Sequence, residues 1–252
     1  MKISIVTVCY NSAQTIEQCL QSVANQTWPD IEHVIIDGAS TDGTLEIIKK
    51  HTLTQSIVVS EPDNGVYDAM NKGLETATGE YVAFLNSDDL YSRPDAVELV
   101  AKKATESNTD CIMGNVQFFD DESQKLVNRF YSATRFSLWW IKIGIMPPHP
   151  GLFFKRKLLK MAGGFDESYR ISADFDLTAR ILLQHNASWE SLGETITLFR
   201  SGGLSTGTEN VRAQLNEEFA RSLSSLSVRF AKFRVLLRFP FKALQYVPSF
   251  SS

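Results

Sequence analysis

The chain has 252 residues, 43% of them hydrophobic and 21% charged, which fits a globular body with a full core and points to neither disorder nor an integral membrane class. The formal net charge of −4 hides an asymmetry. Five bases (Arg229, Lys232, Arg234, Arg238, Lys242) and no acid lie between Leu226 and Ser252, so the rest of the chain carries about nine net negative charges. An acidic body argues against nucleic-acid binding and suits a protein whose carboxylates hold a cation. Cys9, Cys19 and Cys111 cannot all pair, and their apolar settings read as buried thiols in a reducing compartment. Met1 to Cys9 enters a strand pattern directly, without a basic leader or long apolar region, so a cytoplasmic location is expected.

Taken in chain order, Ile3 to Cys9, Ile31 to Ile36, Ile57 to Val59 and Tyr81 to Leu85 are apolar runs of the kind buried on both faces of a parallel sheet. Helical patterns lie between them: Ile16, Leu20 and Val23 after a Ser12 cap, Leu45 and Ile48 after Asp42, and Val66 to Leu74. This alternation predicts an α/β fold, a largely parallel sheet flanked by helices. A helix over Ala96 to Thr105 and strands over Cys111 to Phe119 and Leu126 to Tyr131 predict a mixed second half. Trp139, Trp140, Ile143 and Ile145 run into Pro147, Pro148 and Pro150, which no helix crosses, so a loop or flap is expected there. A helix from Ser172 through Leu183 follows, then irregular structure and a long helical region. No internal repeat is found.

Ligands of open α/β sheets bind outside the strand carboxyl ends. Here those positions are polar: Tyr10 and Asn11 after the first strand, Asp37 to Gly43 after the second, and Asn86 to Asp89 after the fourth. Asp42 and Ser40 serve equally as caps for the next helix. Asp88 and Asp89 are harder to assign to a turn alone, because adjacent like charges at a strand end repel unless a cation lies between them. Hard divalent ions take such oxygen ligands together with phosphate oxygens. The first turn lacks G-x-G-x-x-G, Gly43 is followed by Thr44 where a P-loop needs Lys, and neither zinc-type Cys/His spacing nor a G-x-S-x-G elbow occurs.

Several segments together resemble the family 2 glycosyltransferases with the GT-A fold, in their exopolysaccharide and colanic-acid-like branch. They are Thr7-Val8-Cys9-Tyr10-Asn11, Asp37-Gly38-Ala39-Ser40-Thr41-Asp42-Gly43-Thr44, the stretch from Glu61 to Gly73, and Phe84-Leu85-Asn86-Ser87-Asp88-Asp89. His149-Pro150-Gly151, Gly163 to Glu167 and Ile171 to Leu177 extend the similarity to residues 1–205. The resemblance implies a nucleotide-binding half over about 1–92, an acceptor and catalytic half over about 93–205, and a basic, aromatic helical tail over 206–252.

By the same resemblance, Asp37 reads the nucleobase, Asp88 contacts the ribose or the metal, and Asp89 ligates Mn2+ or Mg2+ on the diphosphate. Thr7, Tyr10, Asn11, Ser40, Asp68 and Lys72 complete the donor set. Asn86 takes the first position of the usual D-x-D. Asp174 matches the catalytic base, with Ala173 where the family has Glu; the alternative is a carboxylate complementing a helix dipole. His149 and Asp176 are candidate acceptor contacts, and His149 could instead be a packed loop residue. The implied reaction is inverting, non-processive transfer from a UDP- or GDP-sugar, with a lipid-linked saccharide as a candidate acceptor. A nucleotidyltransferase and a non-catalytic sugar-nucleotide-binding relative are the alternatives. The tail either docks on the acidic body or lies on an anionic membrane surface at the inner face of the plasma membrane, with Pro240 dividing it into two pieces.

Overall fold

The computed structural model describes residues 1–52, 55–120, 125–200 and 209–242. β1 (Ile3–Cys9), α1 (Ile16–Ala24), β2 (Ile31–Asp37), α2 (Thr44–His51), β3 (Ile57–Ser60), α3 (Val66–Thr76) and β4 (Tyr81–Phe84) alternate along the first half. The four strands are parallel in the order β3-β2-β1-β4. All seven residues of β1 are buried, as a strand covered on both faces requires. Val6, Val34 and Ile36 pack toward Met70 and Leu74 of α3, while Ile3 and Ile5 pack toward Cys19 and Val23 of α1. Gly73 lets α3 lie close to the sheet, since a Cβ there would clash with Val6 Cγ1.

The remaining elements are β5 (Leu90–Tyr91), α4 (Ala96–Ser107), β6 (Cys111–Asp120), β7 (Lys125–Tyr131), α5 (Leu138–Ile141), β8 (Leu152–Lys155), α6 (Arg156–Met161), α7 (Ala173–Ala179), β9 (Trp189–Arg200), α8 (Glu209–Ser225), α9 (Ala231–Leu236) and α10 (Arg238–Lys242). They extend the sheet as β4-β8-β6-β9-β5, with β7 paired to β6. β8 runs antiparallel to both β4 and β6, and β9 runs parallel to β6, which gives the mixed half its character. The stretch after Leu183, expected to be irregular, contains the 12-residue β9. Its pattern is obscured by Gly193, held at φ 74°, and by register shifts opposite Met113 and Asn115. The expected flap holds only α5 and one 3-10 turn, His149–Gly151.

α8 belongs to the same body. Phe219 stacks on Phe175 of α7 with ring centroids 4.0 Å apart, and Ala220 and Leu223 join the main core. No helix among the described residues is long and apolar enough to cross a membrane. The close approach of α3 yields a test. Gly73→Val should cost about 1–3 kcal/mol by overpacking against Val6, read as a lower denaturation midpoint at unchanged slope.

Candidate active site

Because β1, β2 and β4 are parallel, their carboxyl ends meet on one edge of the sheet. Asn11, in the left-handed region at φ 49°, donates its N–H to Ser40 Oγ (2.8 Å) and accepts the Thr41 N–H at Oδ1 (2.9 Å). The Ser12 N–H donates to Thr44 Oγ1 (2.8 Å), and the Ala13 N–H to Asp42 Oδ2 (3.0 Å). Asp42 Oδ1 also accepts the Thr44 hydroxyl (2.6 Å) and N–H (3.1 Å), so it supports the first turn of α2 while tying two loops together. The Thr44 hydroxyl and the Ala13 N–H hold its carboxyl below the usual range. The Ser87 hydroxyl donates to Ser12 Oγ (2.9 Å), joining the β4 loop to the same lattice.

Asp37 ends β2 fully buried. Its carboxylate accepts the Ser40 hydroxyl (2.5 Å), the Ser60 hydroxyl (2.6 Å) and the Ser40 N–H (3.2 Å), so it shapes the turn from beneath. A Cβ on Gly38 would come 2.5 Å from Asp63 Oδ2 and 3.3 Å from Tyr10 Cδ2; glycine lets those two side chains close against the turn. Tyr10 is 64% exposed and offers a ring face beside it. Thr7 does not reach the rim: it is buried, with its hydroxyl 3.0 Å from His33 Nε2. Asp68 and Lys72 are engaged locally. Asp68 accepts the Asn64 N–H (2.8 Å), and Lys72 Nζ meets Glu61 (3.0 Å), Asp68 (3.6 Å) and the Pro62 carbonyl (2.9 Å), fixing the loop before α3.

After β4 the chain turns through Asn86 to Asp89, closed by the Asp89 N–H to the Asn86 carbonyl (3.0 Å). Asp89 is fully buried and accepts the Asn86 amide (3.1 Å) and the Arg200 N–H (3.3 Å), whereas Asp88 is only partly covered. Burial, and then the charge of Asp88, push the Asp89 carboxyl well above its ordinary range. Burial raises Asp88 as well, against the pull of Arg200. Two adjacent carboxyls that resist ionisation together are a fit for a divalent cation. Among the described residues no cluster of three or more His, Cys, Asp or Glu could hold an ion unaided, so phosphate oxygens and water would complete its shell. Asp88 is the accessible member; Asp89 would turn outward only by giving up its Asn86 and Arg200 bonds.

Asp174 is the second residue of α7 and lines a cavity of about 200 Å3 with His149, Ser172, Phe118, Phe199 and Phe219. Burial raises its carboxyl above the usual range, opposed by nearby His149. His149 stacks against Phe84 (centroids 5.8 Å) and meets the edge of Phe165 (6.0 Å). Its two ring nitrogens are buried with no hydrogen-bond partner among the described residues, and burial lowers its pKa. Asp176, a candidate acceptor contact, proves to be a clamp. It is buried and paired with Arg180 Nε (2.7 Å), whose guanidinium also donates to the Ala162 and Gly164 carbonyls (the latter at 2.8 Å).

Two participants escaped the sequence reading. Glu218 of α8 is buried and accepts the N–H groups of Arg170 (3.1 Å), Ile171 (3.2 Å) and Ser172 (3.0 Å), the Ser172 hydroxyl (2.8 Å) and the Gln214 amide (3.0 Å). It therefore sets the backbone leading into Asp174. Tyr67, in the first turn of α3, lies near both Asp174 and the Ala173 backbone, and burial followed by the Asp174 charge raises its phenol. No local sequence signal marks Glu218; Tyr67 stands inside the Glu61 to Gly73 motif without a distinguishing neighbour.

The sequence profile of "Glycosyl transferase family 2" matches residues 4–161. The chain belongs to glycosyl transferase family 2. It is 34% identical over 181 residues, covering 70% of this chain and 68% of the relative, to a "PGL/p-HBAD biosynthesis glycosyltransferase" of Mycobacterium bovis. It is 30% identical over 181 residues to a "Hyaluronan synthase" of Pasteurella multocida, covering 71% of this chain and 18% of that one. The GT-A fold of this family 2 member is shared with S. aureus TarS 1-349 in complex with UDP. That likeness has a TM-score of 0.68 at 22% identity and spans 88% of this chain but 65% of the TarS chain. Mannosyltransferase PcManGT from Pyrobaculum calidifontis, in complex with GDP-Man and Mn2+, aligns with a TM-score of 0.62 at 18% identity over 96% of this chain and 80% of its own.

In this family 2 glycosyltransferase, burial pushes the Glu218 carboxyl up, but the Ser172 hydroxyl and the Arg170, Gln214 and Ile171 donors outweigh it, leaving the pKa below normal. A depressed folded-state pKa contributes stability that is present above the unfolded value, about 4.3, and lost as pH falls through the folded one. Glu218→Gln should therefore cost about 1–3 kcal/mol at neutral pH, with the gap to wild type closing in acid. Melting curves across pH check it.

Proposed function

We propose that this protein transfers a single sugar from a UDP- or GDP-sugar to an acceptor hydroxyl, inverting the anomeric centre. The observation that carries the reading is Asp174, a carboxyl with raised proton affinity in the lining of a largely apolar cavity. A base of that kind suits proton removal from a hydroxyl near neutral pH. As the acceptor oxygen bonds to the anomeric carbon, the bond from that carbon to the diphosphate breaks. Its electron pair leaves with the diphosphate, and the acceptor proton passes to Asp174.

On the donor side, the exposed ring of Tyr10 would receive the base, while the Asn11–Ser40 lattice holds the surrounding loops. Asp88, backed by Asp89, would hold Mn2+ or Mg2+, which supplies positive charge to the leaving diphosphate. That TarS is solved with UDP and PcManGT with GDP-Man and Mn2+ supports a nucleotide-sugar donor and a metal. His149, facing the cavity with unpartnered nitrogens, would hydrogen-bond the acceptor. The names of the relatives, one in PGL/p-HBAD biosynthesis and one a hyaluronan synthase, support a biosynthetic role such as polysaccharide synthesis. Neither the Q-x-x-R-W motif of the processive synthases, nor, among the described residues, a membrane-crossing helix, is present, which supports one addition per encounter.

Asp174→Asn should leave nucleotide affinity unchanged and lower kcat by about a hundredfold or more. In wild type, kcat/KM should fall in acid through a pKa above the ordinary carboxylate value of about 3.9, and this limb should vanish from the residual activity of the variant. Near-normal turnover in the variant would place the base elsewhere. Asp88→Asn and Asp89→Asn should each weaken Mn2+-dependent binding of the nucleoside diphosphate about tenfold or more in calorimetry. Unchanged affinity and metal dependence in both would remove the metal from this turn.

A further inference from the structure

α9 and α10 dock on the body by one face and leave a second, apolar face exposed. Ala231, Val235 and Arg238 face the body and are buried, while Phe230 (73% exposed), Phe233 (64%), Leu236 and Phe239 face outward. The buried cation is the anchor. Arg238 donates to Asn216 Oδ1 (2.6 Å) and lies over the Phe219 ring at 4.4 Å. The outward apolar surface does not stop at the tail. Phe241 of α10 meets the rings of Trp139 and Trp140 on α5 at 5.4 and 5.2 Å, and Trp139 is itself 46% exposed. Exposed bases neighbour these residues along the chain: Arg135 and Lys142 flank α5, Arg229 precedes Phe230 and Lys232 precedes Phe233. None of these four forms a salt bridge among the described residues. Leu244 and the rest of the tail lie outside the described residues.

We propose that α5, α9 and α10 form one site that seats this protein on an anionic bilayer. Large exposed apolar side chains on pieces too short to cross a membrane, interleaved along the chain with exposed bases and free of acids from Leu226 onward, match an interfacial binder. A second copy is a poorer occupant, because two-fold pairing would set like-charged bases against each other. The site adjoins the chemistry. The segment that carries α5 continues through Gly144, Met146 and Pro148 to His149, all of which line the cavity beside Asp174. Attachment is thus positioned to offer that cavity an acceptor held at the lipid surface, although attachment itself does not depend on the sugar-transfer reading.

The test is flotation of the full chain with vesicles of phosphatidylcholine alone or mixed with phosphatidylglycerol. Binding should require the anionic lipid and weaken with salt. Replacing Arg229 and Lys232 with Gln should reduce affinity about 25-fold, roughly fivefold per base. Phe233→Ser should release the protein at unchanged melting temperature. Trp139→Ala tests the α5 contribution and should weaken binding too, and brominated lipid should quench wild-type tryptophan fluorescence more strongly than that of this variant. Equal partition onto neutral and anionic vesicles, or no effect of Trp139→Ala, would overturn the composite site. So would a concentration-dependent dimer that Phe233→Ser dissolves while vesicles bind neither protein.

Discussion

Hydrogen bonds between the loop after β1 and the loop after β2 are the constraint on which the donor side depends. A parallel sheet brings the strand ends to one edge but leaves the following backbone polar groups unpaired, and these must find partners locally. Asn11, Ser12 and Ala13 find them in Ser40, Thr44 and Asp42. The side chains that could have served only as helix caps thereby fix the spacing between two loops, and Ser87 extends the lattice to the β4 turn. Asp37 supports it from below with a carboxylate already occupied by two hydroxyls. A nucleotide would meet a preformed rim.

The half of the chain that carries Asp174 is held from a greater sequence distance. α7 is short, and its approach is set by Glu218, which gathers the N–H groups of Arg170, Ile171 and Ser172. At its other end, Asp176 and Arg180 clamp the loop around Gly164, and Asn71 of α3 holds the same loop through both the N–H and the carbonyl of Phe165. The parallel half and the half that carries Asp174 are therefore joined through α3. The cost falls on the ionisable groups left under strain. Asp88, Asp89 and Asp174 all have raised proton affinity, so each withdraws stability as pH rises through its folded-state pKa. Glu218 works in the opposite sense, because its donors hold its carboxyl below the ordinary range.

The parallel half was legible because its signals are local: runs such as Ile3 to Cys9 are continuous, and polar turns mark their ends. β6 and β7 were legible for the same reason. β8 was not, since three apolar residues and a lysine after a proline cluster read equally well as loop, and its place between β4 and β6 is a long-range pairing. β9 was hidden by a glycine and by irregular register. Of the site residues, Tyr10, Asn11, Ser40, Asp88 and Asp174 lie on the rim or in the cavity where the motifs pointed. Thr7 and Asp176 do not, because a motif fixes a position along the chain and not the direction of a side chain. Glu218 was invisible because the backbone N–H groups it accepts are more than forty residues away.

The account stands on transfer of a sugar, and the most direct measurement is a screen of UDP- and GDP-sugars with Mn2+ and candidate hydroxyl acceptors. It would follow nucleoside diphosphate release together with the anomeric configuration of the product by NMR. The account predicts release of nucleoside diphosphate matched one-to-one by a glycoside of inverted configuration, carrying one added sugar. A retained configuration, or release of pyrophosphate in place of the nucleoside diphosphate, would contradict it.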